Sequence, residues 1–189
     1  GEQSPRDHNY QPDLRPTILI TFSERAETSW QDVKPIKVVT KLDYRWGRGD
    51  IKVTSLLANV LLRNSAIREG CDDAILIRDD IVTEATAANV FIVKEGEVVT
   101  PRKNEFFLHG ITRDIVIELC DDLDLCAVER DVQRAELFDA DEIWLSSTGR
   151  ELCPVLSIDG ISVGGGFSKE SSLWKKLHSA YQTKIKEMI

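Results

Sequence analysis

Three places in this sequence carry residue types that could do chemistry: Lys52, Glu84 and the run Gly110-Ile111-Thr112. Lys52 follows the glycine-bearing loop Arg45-Trp46-Gly47-Arg48-Gly49-Asp50 and stands at the mouth of an apolar, helix-periodic segment. An amine held half-desolvated there would have a lowered pKa and could act as nucleophile and base. Glu84 stands in Val82-Thr83-Glu84-Ala85-Thr86-Ala87-Ala88-Asn89, a carboxylate followed by small residues and so able to lie against a flat ring. Gly110-Ile111-Thr112 opens a helix, and the backbone amides of a helix N-terminus form an anion site. Amine, carboxylate and phosphate cradle are the three fixings that pyridoxal phosphate requires: an imine at C4′, a protonated pyridine nitrogen and a held phosphate. Taken singly, each also has an ordinary structural reading, as a solvated lysine, a strand-end acid and a capped helix start.

The elements that must position these groups belong to a chain of 189 residues, enough for one domain with a real core. Apolar content of 42% and charged content of 30% are those of a soluble globular protein. A formal net charge of −8, with no long basic stripe, argues against nucleic acid or an anionic membrane as partner. No apolar run approaches the ~20 residues that span a bilayer. The N-terminus has neither signal-peptide nor transit-peptide character, so the cytoplasm is the expected compartment. Cys71, Cys120, Cys126 and Cys153 form no Cys-x-x-Cys pair and have no zinc-like histidine spacing, which predicts buried free thiols and no metal site.

Along the chain, residues 1–16, with Pro5, Pro12 and Pro16, read as an extended lead-in ahead of a domain spanning 17–189. Thr17–Phe22 is β-branched and apolar and predicts a strand buried on both faces, and Ile36–Thr40 a second. From Asp50 to Glu69, Leu56, Leu57, Val60, Leu61 and Ile67 recur at helical spacing before Gly70. Strands are expected at Ala74–Ile77 and Ile81–Glu84, then a hairpin of Asn89–Lys94 and Glu97–Thr100 about Glu95-Gly96. A helix runs from Gly110 to about Leu123, with Thr112 as its N-cap. Strands at Leu125–Glu129, Glu142–Ser146 and Cys153–Ile158 follow, with a short helix at Gln133–Phe138. A last helix, capped by Ser168, carries the stripe Trp174, Leu177, Tyr181, Ile185 and Met188, which reads as core packing. Strands outnumber helices and arrive in hairpins, predicting an α+β fold whose mixed sheet curls toward a barrel with helices outside.

Three motifs, in this order and spacing, carry a resemblance. They are the run from Asp50 to Leu62, Thr-Glu-x-x-x-x-Asn-Val-Phe at 83–91, and Leu-x-Gly-Ile-Thr-Arg-Asp at 108–114. They resemble the fold-type IV pyridoxal-phosphate enzymes, which include D-amino-acid transaminases, branched-chain transaminases and aminodeoxychorismate lyases. The resemblance implies the larger, pseudo-barrel domain of that fold, a pyridoxal 5′-phosphate cofactor and a homodimer. By it, Lys52 is the Schiff-base lysine, Glu84 the partner of the pyridine nitrogen, and Leu108 the packing on the ring face. Ile111 and Thr112 bind phosphate through their amides, and Ser147 and Thr148 form a second phosphate-side loop. Ser4-Pro5-Arg6-Asp7-His8 is similar to the segment by which D-amino-acid transaminases present an arginine and a histidine to the substrate α-carboxylate across the dimer interface. A guanidinium suits that task because it binds a carboxylate bidentately. The implied activity is D-amino-acid transamination of the D-alanine:2-oxoglutarate type. The alternatives are branched-chain L-transamination or lyase chemistry on the same scaffold, and a non-catalytic remnant that binds a partner or dimerises. Family members carry a smaller N-terminal α/β domain, supplying a phosphate-binding arginine and a pocket aromatic, that nothing in these residues matches.

Overall fold

The computed structural model describes residues 5, 7–9, 12–24, 29–164 and 172–187. Its elements run β1 (Ile36–Leu42), α1 (Leu57–Arg68), β2 (Asp73–Arg78), β3 (Ile81–Ala85), β4 (Asn89–Lys94), β5 (Glu97–Pro101), α2 (Ile111–Asp122), β6 (Ala127–Arg130), α3 (Glu136–Asp139), β7 (Glu142–Ser147), β8 (Glu151–Ile158), β9 (Ile161–Ser162) and α4 (Leu173–Glu187). One mixed sheet takes the order β3-β2-β1-β8-β7-β4-β5-β6, with β9 beside β8. β1 runs parallel to both β2 and β8, β5 parallel to β6, and the other pairs are antiparallel. The two ends of this order meet beyond β6, where the Val82 amide donates to the Val132 carbonyl at 2.8 Å and Ile81 bridges Gln133. The sheet therefore curls into a pseudo-barrel, as the patterning predicts.

Alternation along the strands sorts the core into three parts. Ile75, Ile77, Val90, Ile92, Ile143 and Leu145 point into the barrel with Val38, Val82 and Val155. Their neighbours Phe91, Val93 and Trp144 face outward onto Val116, Leu119 and Cys120 of α2 and Trp174, Leu177 and Tyr181 of α4. Ala74 and Leu76 face Leu62 and Ala66 of α1. The α4 stripe is core packing as expected; Met188 and the Ser168 cap lie outside the described residues.

The structure corrects several expectations. Residues 17–22 form no strand, and Ile18, Leu19, Ile20 and Phe22 are 77–100% exposed. Their composition suits a strand, but pairing is nonlocal, and no described strand lies alongside them. The helix expected from Asp50 begins only at Leu57, because Asp50–Leu56 is tied down as a loop: the Asp50 amide bonds the Glu105 carbonyl and the Leu56 amide the Thr54 carbonyl. Its apolar stripe of Leu56, Leu57, Val60, Leu61 and Ile67 is exposed, while Leu62 and Ala66 are buried. All four cysteines are free, but only Cys120 and Cys153 are buried; Cys71 is half-buried and Cys126 exposed. Among the described residues no cluster could hold a metal ion, and no helix is long and apolar enough to cross a membrane.

Candidate active site

One cavity of about 1090 Å³ opens where α1, the β3–β4 turn, the N-terminus of α2 and the β7–β8 turn converge. It is lined by Lys52, Glu84, Leu108, Ile111, Thr112, Ser147 and Thr148, so all seven of these sequence-expected residues meet in one place. His8 is exposed and is not among the described residues lining it, and Arg6 lies outside the described residues. Trp46 lines the cavity, half exposed; Arg48 turns away to bind Asp50 at 2.9 Å.

Glu84 is the most elaborately held of these groups, and what holds it was not legible in sequence. Its side chain is 9% exposed, at the end of β3. Arg45 Nη1 donates to Glu84 Oε1 at 2.5 Å. Arg45 in turn grips Asp43 bidentately, Nε to Oδ1 and Nη2 to Oδ2, both at 2.9 Å. Thr83 Oγ1 donates to Asp43 Oδ2 at 2.9 Å, and Arg78 Nη2 donates to the Arg45 carbonyl at 2.9 Å. Burial pushes the Glu84 carboxyl up to about 7, against the opposing pull of the Arg45 guanidinium and the Leu108 amide. Burial also pushes Asp43 upward, but its hydrogen bonds from Arg45 and Thr83 more than offset that and leave it below the usual carboxylate value. Asp43 and Arg45 lie just ahead of Lys52 in sequence, and nothing in their spacing marks them as partners of Glu84.

Lys52 is exposed, not half-desolvated as expected, since its loop carries it along the cavity rim without a covering element. The loop's course is set at Gly49, where a Cβ would stand 2.3 Å from the Phe106 carbonyl oxygen. Only a residue without a side chain allows so close a backbone approach.

The anion end of the cavity is built differently from expectation. Thr112 is not the N-cap of α2; Gly110 is, with φ −70° and ψ 137°, and it offers no side-chain acceptor to the first-turn amides. Those amides are therefore open to water or to an anion. Asn89 Nδ2 holds the Leu108 carbonyl at 2.7 Å, and a Cβ at Gly110 would meet Asn89 Oδ1 at 2.3 Å, so the helix start is clamped against β4. Arg113, fully buried, ties the same turn to the Pro101 carbonyl at 2.8 Å and to Glu129. The buried Ser146 Oγ, also at the cavity, has no hydrogen-bond partner. A buried acid, an amine, an uncapped helix start and an orphaned hydroxyl fit a flat ligand with a basic ring nitrogen, a carbonyl and an anionic tail.

Comparison with known proteins accords with this geometry. Residues 1–158 match the family model described as amino-transferase class IV. D-alanine aminotransferase from Bacillus licheniformis is 36% identical over 183 residues, 97% of this chain and 64% of that protein. D-alanine aminotransferase from Listeria monocytogenes is 35% identical over 187 residues, 98% of this chain and 64% of that protein. The chain thus spans somewhat less than two thirds of the length of these curated relatives. Among solved structures, the branched-chain amino acid aminotransferase from Thermobaculum terrenum, in its PLP form, superposes with a TM-score of 0.75 at 26% identity, over 85% of this chain and 54% of that one. The Escherichia coli branched-chain enzyme gives 0.69 at 28% identity, over 82% and 54%. With its sheet, cavity and sequence in agreement, the chain belongs to the class IV aminotransferases, the fold-type IV family whose cofactor is pyridoxal 5′-phosphate.

Proposed function

We propose that this chain forms the cofactor-binding part of a D-amino-acid transaminase, moving an amino group between a D-amino acid and a 2-oxo acid. The observation that carries the reading is the common cavity of Lys52, Glu84 and the uncapped start of α2. The D-alanine aminotransferases at 35–36% identity support the hand of the substrate. When bound, pyridoxal phosphate supplies an aldehyde to take the amino group and an electron-withdrawing ring to stabilise charge at Cα.

This chain's residues do the rest. Glu84, pinned by Arg45, would pair with the ring nitrogen and keep that nitrogen protonated. Leu108 packs on the ring face. The Ile111 and Thr112 amides, with Ser147 and Thr148, bind the phosphate. Lys52 Nζ would hold the cofactor until the substrate's amino group displaces it, and the freed amine would then remove and return the proton at the substrate carbon as general base and acid. Arg6 and His8 bind the substrate carboxylate of a neighbouring copy in a homodimer, which places residues 1–16 between domains and residues 17–189 in the cofactor-binding domain.

Borohydride treatment of the cofactor-loaded protein, followed by peptide mass analysis, should find the cofactor fixed on Lys52 and on no other lysine. Lys52→Ala should lose the adduct and turnover while still binding the cofactor noncovalently. A variant that keeps full turnover refutes the assignment. The second reading, branched-chain L-amino-acid transfer, is favoured by the solved structures of that name. Half-reactions with D- and L-alanine against L-leucine separate the two: amine transfer from the L-substrates alone would overturn the first.

A further inference from the structure

Ser146 is 1% exposed, its Oγ has no hydrogen-bond partner, and it lines the cavity. A buried hydroxyl left unpaired is destabilising, so it persists where something else uses it. The strand pattern says which way it points. Side chains alternate along β7, so Ser146 shares the face of Trp144, the face that α2 covers. Across the ladder Ser146 pairs with Asn89, which shares the face of Phe91 on the same side. Asn89 clamps the Leu108–Gly110 turn, and Gly110 leads directly into the free amides of Ile111 and Thr112. Ser146, Asn89 and Gly110 therefore form a row beneath α2 that ends at its N-terminus, while the Leu108 amide of the same turn faces Glu84.

We propose that the Ser146 hydroxyl is a phosphate ligand: it donates to a phosphate oxygen of the cofactor and, with the Ile111 and Thr112 amides, closes the cradle from the sheet side. This rests on the reading of the cavity as the pyridoxal phosphate site. A hydroxyl suits the position because it is a neutral donor that rotates to its acceptor, and the bond to a charged oxygen is of the stronger kind.

The test compares binding of pyridoxal phosphate and of pyridoxal, the same ring and aldehyde without phosphate, to the cofactor-free chain. Dissociation constants are read by equilibrium dialysis for wild type, Ser146→Ala and Ser146→Thr. Ser146→Ala should weaken pyridoxal phosphate by roughly tenfold or more and leave pyridoxal unchanged, and Ser146→Thr, which keeps the hydroxyl, should restore most of the loss. In urea, the cofactor-free Ser146→Ala protein should be as stable as wild type or more so, because the orphan is gone. Equal losses for both ligands, no loss for pyridoxal phosphate, or a marked fall in cofactor-free stability would each overturn the proposal. Failure of the underlying cofactor reading looks different: wild type itself would bind pyridoxal phosphate no better than pyridoxal.

Discussion

Glu84→Gln is the sharpest probe of the acid, because it removes one titration and keeps the shape and the acceptor for Arg45. Burial lifts the Glu84 carboxyl from an ordinary 4.5 to about 7. Between those values the folded state binds a proton that the unfolded chain has released, so this group's contribution to stability falls as pH rises through the window. The full gap amounts to roughly 3 kcal/mol, absent below the unfolded value and complete above the folded one. Most of it, about 2–3 kcal/mol, lies between pH 5 and pH 8. The side chain is only 9% exposed, so solvent screening takes little from that figure. Urea unfolding of the cofactor-free protein at the two pH values, wild type against Glu84→Gln, isolates the term, since other titrating groups cancel in the difference. The variant should gain about 2–3 kcal/mol on wild type in going from pH 5 to pH 8. An advantage that stays constant with pH would mean that Arg45 keeps Glu84 ionised throughout, and the burial argument would fail.

Arg45→Met should lose about 3–5 kcal/mol at pH 8, because it strands two buried carboxylates, and less at pH 5, where they can protonate; an equal loss at both pH values would assign Arg45 to packing alone. Gly49→Ala should cost about 2–4 kcal/mol in urea unfolding, since its Cβ meets the backbone of Phe106, whereas Gly47→Ala, with nothing within 4 Å, should be near neutral; matching effects would remove Gly49 from the account of the Lys52 loop.

What could be read from sequence was local. The β4–β5 hairpin announced itself through the pair Glu95-Gly96 between two apolar runs, and both turn residues take positive φ, 52° and 84°. The start of α2 was legible from Gly110-Ile111-Thr112, though not which residue capped it: a threonine side chain suggested a cap, and the clamp of Asn89 on the preceding turn selected the glycine. Contacts between distant segments were hidden. Nothing near Glu84 in sequence indicates a guanidinium 39 residues away, nor an aspartate behind that guanidinium. The same blindness misread one apolar stretch and left the exposure of another unread. Thr17–Phe22 and the Leu57–Leu61 stripe have the composition of buried elements, but burial depends on a partner surface, and period alone carries no record of one.

The acid and the amine of this site are set by different physics. Glu84 sits on a strand of the barrel wall, and its proton affinity follows from burial and from Arg45, both fixed by folding. Lys52 sits in a loop whose course depends on one close backbone approach at Gly49, and its amine is open to solvent. No described element covers this amine. The covering must come from whatever fills the cavity or packs over its rim, beside the exposed apolar stripe of α1. On the proposed reading, the fold thus prepares the acid end of the site in advance and leaves the Lys52 amine to be covered on occupancy. That is why Glu84→Gln is expected to register in the empty protein, whereas Lys52→Ala, at an exposed loop position, is expected to register only once the cofactor is present.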